Sequence, residues 1–514
     1  MITHRQYQTA QPVHPQDMPK QLNMAAQVLA SSATSVAIRD IDGVGDVTFG
    51  DLQHMAGALA AELLRRGIKP GDRVGVLRSQ DPWCAAAHIA VWQLGAISVP
   101  LFKLFRRDAL GTRLDDSGTR LVITDPQGRA LCADMAPTLI PEETALPTPM
   151  LDSVDTGPED PAVLIYTSGT TGSPKGALHG HRVLTGHLPG VSISHDFLGA
   201  EGDCLWTPAD WAWIGGLFDV LMPGLALGIP VVAARLPKFD PEACLRICRD
   251  ARVRNVFFPP TALRMLKASD AVIPGLRSVA SGGEPLGAEM LAWGRNAFGV
   301  TINEFYGQTE CNMVASSCAA NFAPRPGCIG KPVPGFDVAV IDEKGHPADG
   351  EGDICLRRGA VSMMLEYWQN PQATAEKFRG EWMLTGDRGV LEDGFLRFVG
   401  REDDVISSGG YRIGPAEIED CLLSHPDVAT VGVVGKPDPI RGEIVKAYVV
   451  RKPRAQVTGK TLQTWVKDRL SLYAYPREIS FLDALPMTVT GKVIRKQLKS
   501  RAALENTALE KDTP

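Results

Sequence analysis

The stretch "LIYTSGTTGSPKGALHGH", residues 164–181, places a loop of glycines and hydroxyls directly after an apolar strand. Tyr166 to Gly176 contains three Gly, five Ser or Thr and one lysine, Lys175. Glycines allow tight turns and close approach to a ligand, successive backbone N–H groups form an anion-binding concavity, and hydroxyls add donors. With Lys175 as a point charge, the segment predicts a loop that binds a polyphosphate.

The same loop differs from a Walker A motif. When Gly169 is taken as the first glycine of such a motif, Lys175 stands at the expected position. However, Pro174 replaces the second glycine, and Gly176 replaces the Ser or Thr that would hold magnesium. A P-loop kinase is therefore disfavoured.

Composition limits the class of protein. The 514 residues are too many for one core and predict two or more domains. A net charge of -6 and a pI near 6.0 argue against a nucleic-acid binder. Ten cysteines without a CxxC pair predict buried, reduced thiols in a cytoplasmic protein. The apolar stretch 216–234 is interrupted by Asp219, two prolines and two glycines, so it predicts a short buried helix, a turn and a strand rather than a membrane span.

The order of helices and strands predicts an α/β fold. Leu52, Met55 and Leu59 recur at helical spacing, and the strand "RVGVL" (73–77) follows. The same order recurs in 85–101 and 290–307, which predicts a largely parallel sheet. Short strands separated by turns predict a β-rich subdomain from about residue 330. The polar run 401–404 predicts a linker between an N-terminal domain, 1–401, and a small α+β domain, 402–514.

Seven segments, taken in order, resemble the signatures of the adenylate-forming (AMP-binding) superfamily, which includes acyl-CoA synthetases, luciferases and peptide-synthetase adenylation domains. After the loop at 164–181 they are "FFPPTAL" (257–263), "SGGEPL" (281–286), "NEFYGQTE" (303–310), "LTGD" (384–387), "GREDDVISSGGYRIGPAEIE" (400–419) and "TVTGKVIRK" (488–496). The resemblance covers nearly the whole chain. It implies a large N-terminal α/β domain with several subdomains and a small mobile C-terminal domain.

The resemblance also implies a set of site residues. Lys492, Lys175 and Glu310 are the catalytic residues that it implies, with Lys492 reaching the α-phosphate and Glu310 binding magnesium. ATP would be bound by residues of all these segments: Thr167, Ser168, Gly169, Thr170, Thr171, Gly172, Ser173, Pro174, Lys175, Gly283, Glu284, Pro285, Glu304, Phe305, Tyr306, Gly307, Gln308, Thr309, Asp387, Arg401, Arg412 and Lys492. Among these, Asp387 is a carboxylate suited to the ribose hydroxyls, and the two arginines are fixed cations.

Two further segments resemble medium-chain acyl-CoA synthetases, "DPIRGEIVKAYV" (438–449) and "YAYPREI" (473–479). The resemblance of 400–419 to the superfamily's hinge segment implies a hinge at Asp403. The segment "TPADWAWIGG" (207–216) resembles the one that supplies the wall of the acyl pocket, so the pocket is expected at Trp213 and Gly307. Acetate-specific relatives carry Trp where this chain has Gly307, so the glycine is expected to leave room for a longer or aryl acyl group. Coenzyme A would be contacted by Gly409, Gly410, Tyr411 and Arg441.

The implied activity is that of an ATP- and magnesium-dependent acyl-CoA synthetase of fatty-acid metabolism. A carboxylate attacks the α-phosphorus, pyrophosphate leaves, and the thiol of CoA displaces AMP, while the protein supplies positioning and countercharge. The expected partners are a small carboxylic acid, ATP and CoA, with no nucleic acid and no membrane segment, in a monomer or homodimer. One alternative passes the acyl group to another acceptor, such as a carrier-protein thiol. Another is a non-catalytic nucleotide-binding protein, against which the presence of both Lys175 and Lys492 argues.

Three residues near these segments have ordinary structural interpretations. His179 and His181 are separated by one glycine and could be taken for a pair of metal ligands. A third ligand is not evident, so we expect them to belong to loop and strand structure. Cys311 follows Glu310 and is expected to be a small buried packing residue rather than a nucleophile.

Overall fold

The structure of the chain is a computed structural model. It describes residues 12–105, 107–147, 151–167, 174–236, 238–325, 327–401, 404–408, 411–438, 441–470, 475–488 and 491–511. Within these ranges the strands form four sheets, and helices cover the two largest.

The first sheet has nine strands, and its central strands are parallel. It carries three of the predicted nucleotide segments, at the ends of its adjacent strands. In spatial order the strands are Lys331–Pro332, Cys311–Ser316, Ile302–Gln308, Ser278–Gly282, Asn255–Phe257, Leu205–Trp206, Val231–Ala233, Val36–Asp40 and Gly45–Thr48.

The second sheet has seven strands and carries the glycine- and hydroxyl-rich loop. Its parallel part is followed by an antiparallel pair that brackets the loop. In spatial order the strands are Glu366–Tyr367, Lys175–Gly180, Pro161–Thr167, Ile97–Pro100, Arg73–Leu77, Leu121–Thr124 and Thr138–Leu139.

The third and fourth sheets have five strands each. The third is antiparallel and corresponds to the β-rich region predicted after residue 330; its strands are Val338–Ile341, Glu351–Arg357, Trp382–Glu392, Phe378–Arg379 and Phe395–Arg401. The fourth consists of Tyr411–Ile413, Ile406–Ser408, Gly442–Arg451, Val428–Asp438 and Glu478–Phe481. The predicted α/β class, with a β-rich part and a separate small α+β part at the C-terminal end, is confirmed.

Helices connect the strands and cover the sheets. The α-helices are Met24–Val28, Phe49–Arg65, Pro82–Gln93, Arg107–Ser117, Pro126–Cys132, Val183–Ser194, Ile214–Gly216, Met222–Ala226, Pro241–Asp250, Pro260–Ala268, Gly287–Phe298, Pro371–Glu376, Pro415–Leu423, Gly459–Arg469 and Arg495–Lys511. A π-helical turn spans Leu217–Leu221, and short 3₁₀ turns span Pro15–Asp17 and Pro141–Glu143.

Local sequence explains where these helices begin and end. The helix Phe49–Arg65 begins at Thr48, whose hydroxyl accepts from the backbone N–H of Asp51, while the Asp51 carboxylate accepts from that of Thr48. This reciprocal capping satisfies two N–H groups that have no partner inside a helix. Gly67 follows the helix with a φ of 82°, a conformation that favours glycine.

The apolar stretch 216–234 folds as the sequence predicts. A π-helical turn, Leu217–Leu221, and a short helix, Met222–Ala226, are buried, and the strand Val231–Ala233 follows. In the part of the chain that the structure describes, no helix has both the length and the apolar character that crossing a membrane requires.

Candidate active site

The glycine- and hydroxyl-rich loop connects two antiparallel strands. Thr167 at the end of Pro161–Thr167 stands opposite Lys175 at the start of Lys175–Gly180, and Pro174 precedes Lys175. Residues 168–173, which carry six of the predicted ATP contacts, lie outside the described ranges. A strand follows the loop, whereas the Walker A loop leads into a helix.

Glu310 lies in the turn between the strands Ile302–Gln308 and Cys311–Ser316, next to Thr309. Its Oε1 accepts a hydrogen bond of 2.5 Å from the hydroxyl of Tyr367, and Lys175 Nζ lies 5.2 Å from the centre of the Tyr367 ring. Within the described part of the chain, Oε2 of Glu310 has no hydrogen-bond donor. One carboxylate oxygen is thus oriented by Tyr367 and the other is available, which suits a Mg²⁺ ion that is also bound by phosphates.

Asp387 is held between two sheets. Its Oδ2 accepts from the hydroxyl of Tyr306 at 2.5 Å and from Nε2 of Gln308 at 2.7 Å. Burial raises the pKa of Asp387, while Tyr306, Arg401 and Gln308 act in the opposite direction. No donor of the described residues binds Oδ1, so the carboxylate retains acceptor capacity on that side. Arg401 pairs with Asp387 in the register of the third sheet.

Lys492 reaches the first sheet from the far end of the chain. Its Nζ lies 3.7 Å from the point that a Cβ of Gly283 would occupy. The turn before Lys492 packs on Thr261: a Cβ at Gly491 would lie 2.7 Å from the Thr261 hydroxyl, and the φ of Gly491 is 82°. Glycine is therefore needed for this approach. Three predicted segments are brought together here, 257–263 through Thr261, 281–286 through Gly283 and 488–496 through Lys492.

Phe305 and Glu304 belong to the same strand but contact different partners. The ring of Phe305 covers Gly282, where an added Cβ would lie 2.5 Å from a ring carbon. Glu304 is buried. Burial and then the charge of Asp420 raise the pKa of Glu304 to about 8, while the backbone N–H of Leu286 has the opposite effect. Asp420 belongs to the helix Pro415–Leu423, so Glu304 lies where the C-terminal part meets the first sheet.

The raised pKa of Glu304 predicts a pH-dependent stability. An unfolded Glu loses its proton near 4.5, so between pH 4.5 and about 8 the folded chain binds more protons than the unfolded one. The free energy of unfolding should therefore fall across this window, by at most about 1.4 kcal/mol per pH unit. Glu304→Gln should remove this decline, measured as thermal midpoints from acid to alkaline pH. The control Glu343→Gln removes an exposed carboxylate and should keep the wild-type dependence of the thermal midpoint on pH. The same dependence in all three proteins would contradict the prediction.

Gly307 was expected to leave room for a longer acyl group, but a neighbouring side chain lies directly beside it. The φ of Gly307 is not in the left-handed region, but a Cβ there would lie 1.8 Å from Oδ1 of Asn312. The amide of Asn312, on the adjacent strand, therefore fills the volume beside the glycine. Trp213, the other predicted acyl-pocket residue, packs against Phe102 and Phe105, with ring centres 5.4 and 5.9 Å apart.

The predicted CoA and hinge residues are only partly described. Arg441 is exposed in the turn before Gly442–Arg451, and its backbone N–H donates to Asp438. The backbone of Tyr411 and Arg412 forms the strand Tyr411–Ile413. Gly409, Gly410 and Asp403 lie outside the described ranges.

The residues given ordinary interpretations are buried. His179 and His181 are fully buried on the strand Lys175–Gly180 and directly after it, and His181 accepts from the backbone N–H of Met24. The described residues contain no group of three or more side chains arranged to hold a metal ion. Cys311 is buried, as predicted, and burial raises the pKa of its thiol to about 12. Trp211 is also fully buried, in the main apolar core.

Sequence reasoning missed two residues of this site. Tyr367 orients Glu310, and Lys377 donates to Oε1 of Gln308 at 3.3 Å, behind the Asp387 carboxylate. Both lie between predicted segments in sequence. The pairing of Tyr367 with Ala177 in the second sheet brings it to the site, and local sequence does not reveal that pairing.

Comparisons with known proteins agree with this arrangement. Residues 25–368 match the AMP-binding enzyme family, and residues 417–492 match the AMP-binding enzyme C-terminal domain. The chain is 32% identical to the mitochondrial acyl-coenzyme A synthetase ACSM4 of Mus musculus, over 94% of this chain and 91% of that protein. It is also 32% identical to acetyl-coenzyme A synthetase of Bacillus subtilis (strain 168), over 88% and 84%.

A solved structure has the same fold. ATP-bound MatB from Rhodopseudomonas palustris superposes with a TM-score of 0.83 at 26% identity, covering 93% of this chain and 98% of that one. The family match spans well over half of the residues, and the two curated relatives exceed 30% identity over most of the chain. The resemblance predicted from the segments is therefore confirmed, and the chain belongs to the AMP-binding enzyme family.

Proposed function

We propose that this enzyme is an acyl-CoA synthetase that uses ATP, Mg²⁺ and CoA to activate a carboxylic acid. The observation that carries the proposal is the approach of Lys492 to Gly283, because it joins a terminal ammonium group to the segments with nucleotide-binding character. The curated relatives named as acyl-CoA synthetases support the same reaction. Adenylation requires no nucleophilic side chain, which agrees with a buried Cys311.

The first half-reaction needs positioning and countercharge. The substrate carboxylate attacks the α-phosphorus of ATP, and pyrophosphate leaves. Lys492 would neutralise charge at the α-phosphate and the carboxylate, and Lys175 would do so at the departing phosphates. Residues 167–175, 283–285, 304–309, Arg401 and Arg412 would contribute the remaining ATP contacts.

Two carboxylates would have different tasks. Glu310, oriented by Tyr367, would bind the Mg²⁺ ion, which supplies charge neutralisation of the phosphates when it is bound. Asp387, oriented by Tyr306 and Gln308, would accept the ribose hydroxyls. Because each carboxylate is fixed through one oxygen, its other oxygen is presented in a defined direction.

The second half-reaction would need the C-terminal part to present another surface. We place the domain boundary at 401/402 and the hinge at Asp403, with Gly409, Gly410, Tyr411 and Arg441 contacting CoA. The thiol of CoA would then displace AMP from the acyl adenylate. Trp213 and Gly307 would line the acyl pocket, for medium-chain, short-chain or aryl acids. A cytoplasmic location and a monomeric or homodimeric state stay predictions.

A substrate panel tests the proposal. Acids from acetate to decanoate and simple aryl acids are supplied with ATP and Mg²⁺, and pyrophosphate release and thioester formation are measured with and without CoA. We expect acid-dependent pyrophosphate release, and thioester only when CoA is present. Adenylate that accumulates without reacting with CoA would favour transfer to a carrier-protein thiol. No acid-dependent release with any acid would overturn the proposal.

A further inference from the structure

A cluster of three polar side chains is buried beside Gly307. Asp219 lies on the π-helical turn Leu217–Leu221, His187 on the helix Val183–Ser194 and Asn312 on the strand Cys311–Ser316. Nδ2 of Asn312 donates to Oδ1 of Asp219 at 2.6 Å, and Nδ1 of His187 lies 3.3 Å from the same oxygen. All three are at most 3% exposed. This polar cluster is surrounded by apolar residues such as Phe218.

The polar cluster contains polar atoms that have no partner among the described residues. His187 Nδ1 contacts two acceptors, the carbonyl of Phe218 and the carboxylate of Asp219. Nδ1 therefore carries a proton. His187 Nε2 is buried and has no hydrogen-bond partner among the described residues. No donor from the described residues binds Oδ2 of Asp219. Polar atoms left without partners in an apolar interior are costly, which indicates that a polar group from outside the chain belongs here.

Oδ2 of Asp219 lies near Gly215, which is close in sequence to Trp213 of the proposed acyl pocket. It lies 3.7 Å from the point where a Cβ of Gly215 would be, and the same point is 3.0 Å from the ring of Phe257. Gly215 follows Trp213 by two residues, and Phe257 pairs with Phe305 at a ring distance of 5.2 Å. On its other side the polar cluster touches Gly307 through Asn312. A carboxylate thus occupies the wall of a region otherwise bordered by aromatic rings and glycines.

We propose that Asp219, positioned by Asn312 and His187, determines substrate specificity by accepting a hydrogen bond from a hydroxyl or amino group on the acyl part of the acid. This inference rests on the proposed function, because it assigns the substrate class of the same site. A purely aliphatic or unsubstituted aryl group would leave the acceptors unpaired, and an additional acidic group would be repelled by Asp219. A donor group satisfies the carboxylate, and sites built in this way reject analogues that lack the donor.

Matched pairs of acids test the inference with the whole enzyme. Benzoate is compared with its meta- and para-hydroxy and amino derivatives, and hexanoate with its ω-hydroxy and ω-amino derivatives, in acid-dependent ATP–pyrophosphate exchange. We expect at least one donor-bearing acid to exceed its parent in kcat/KM by about tenfold to 10²-fold. The hydroxy and amino arms identify which donor is preferred. Exchange needs no CoA, so it is independent of the acyl acceptor.

Two variants separate recognition from folding. Asp219→Asn preserves the shape of the side chain and an acceptor for Asn312. It presents either an amide donor or an uncharged oxygen to the substrate. The preference for a donor-bearing acid over its parent should therefore fall by about tenfold or more. The matched control Asp203→Asn alters another buried carboxylate, which pairs with Arg277 rather than with the polar cluster, and should leave the preference unchanged. Thermal unfolding of each variant reports on folding.

The outcomes distinguish the two proposals. Equal kcat/KM within every matched pair, or a preference that survives Asp219→Asn, would overturn the specificity role and leave acyl activation intact. A purely structural role would lower activity with both members of a pair and keep their ratio. If no acid of either type supports exchange, the proposed function itself fails.

Discussion

Lys492→Ala is expected to reduce acid-dependent ATP–pyrophosphate exchange by about 10³-fold, the upper range for loss of one preorganised charged or donor group at a reacting centre. Formation of thioester from supplied acyl adenylate and CoA should fall little. The reason is that the ammonium group is needed while negative charge moves between the carboxylate and the α-phosphate. We expect the displacement of AMP from a finished adenylate to use another arrangement of the C-terminal part, in which Lys492 is not needed.

The geometry explains why Lys492→Ala should remove the charge without altering the turn that carries it. The Lys492 ammonium reaches Gly283 because the Gly491 turn packs closely on Thr261. The backbone N–H of Lys492 also donates to the hydroxyl of Thr488, which fixes the turn independently of the lysine side chain. The variant should therefore retain the turn and lose only the charge.

Lys496→Ala is the matched control. Lys496 is exposed, lies on the following helix Arg495–Lys511 and carries the same charge. It should change both half-reactions by less than about twofold, because an exposed charge is screened by solvent. An equal loss of both half-reactions in Lys492→Ala, or exchange that persists at wild-type rate, would refute the assignment of Lys492.

Much of the fold could be predicted because its signals are local. The apolar spacing of Leu52, Met55 and Leu59 indicated a helix, and capping at Thr48 and Gly67 sets its ends close to those observed. The β-rich region after residue 330 was visible in its short strands and turns. The pairing order of the nine-stranded sheet was not, because it depends on contacts between strands distant in sequence.

The candidate site was predictable only where its chemistry lies in short segments. Asp387, Tyr306 and Gln308 belong to two such segments, and they meet within 2.7 Å. Their mutual hydrogen bonds could not be derived from either segment alone. Tyr367 was missed because it reaches Glu310 through the edge of the second sheet.

The polar cluster was missed for the same reason. Asp219 was visible in the sequence as a charge that interrupts an apolar stretch, and this excluded a membrane span. Its partners are 32 and 93 residues away along the chain. An acidic residue inside an apolar run is a signal of a buried polar contact, but only the folded structure identifies the partners as His187 and Asn312.

Asp387→Asn is expected to raise the KM for ATP in the exchange reaction by about 10²-fold or more, since two hydrogen bonds to a charged acceptor are lost or weakened. In the wild-type protein Tyr306 and Gln308 both donate to Oδ2, so Oδ1 remains available for the proposed contact with the ribose. In the variant the amide oxygen is the better acceptor for those two donors. The NH₂ group then faces the ribose, and it cannot accept from the hydroxyls.

Comparison of ATP with a deoxy-ATP that lacks one ribose hydroxyl makes this test specific. The wild-type enzyme should discriminate against the analogue, whereas Asp387→Asn should treat the two nucleotides nearly alike, because the hydrogen bond is already absent. Tyr306→Phe removes one of the two orienting donors and should give an intermediate discrimination. Asp393→Asn removes an exposed carboxylate at the tip of the same hairpin and should behave as wild type. If Asp387→Asn discriminated against the analogue as strongly as the wild-type enzyme does, Asp387 would not bind the ribose and its buried contacts would serve only the packing of the third sheet.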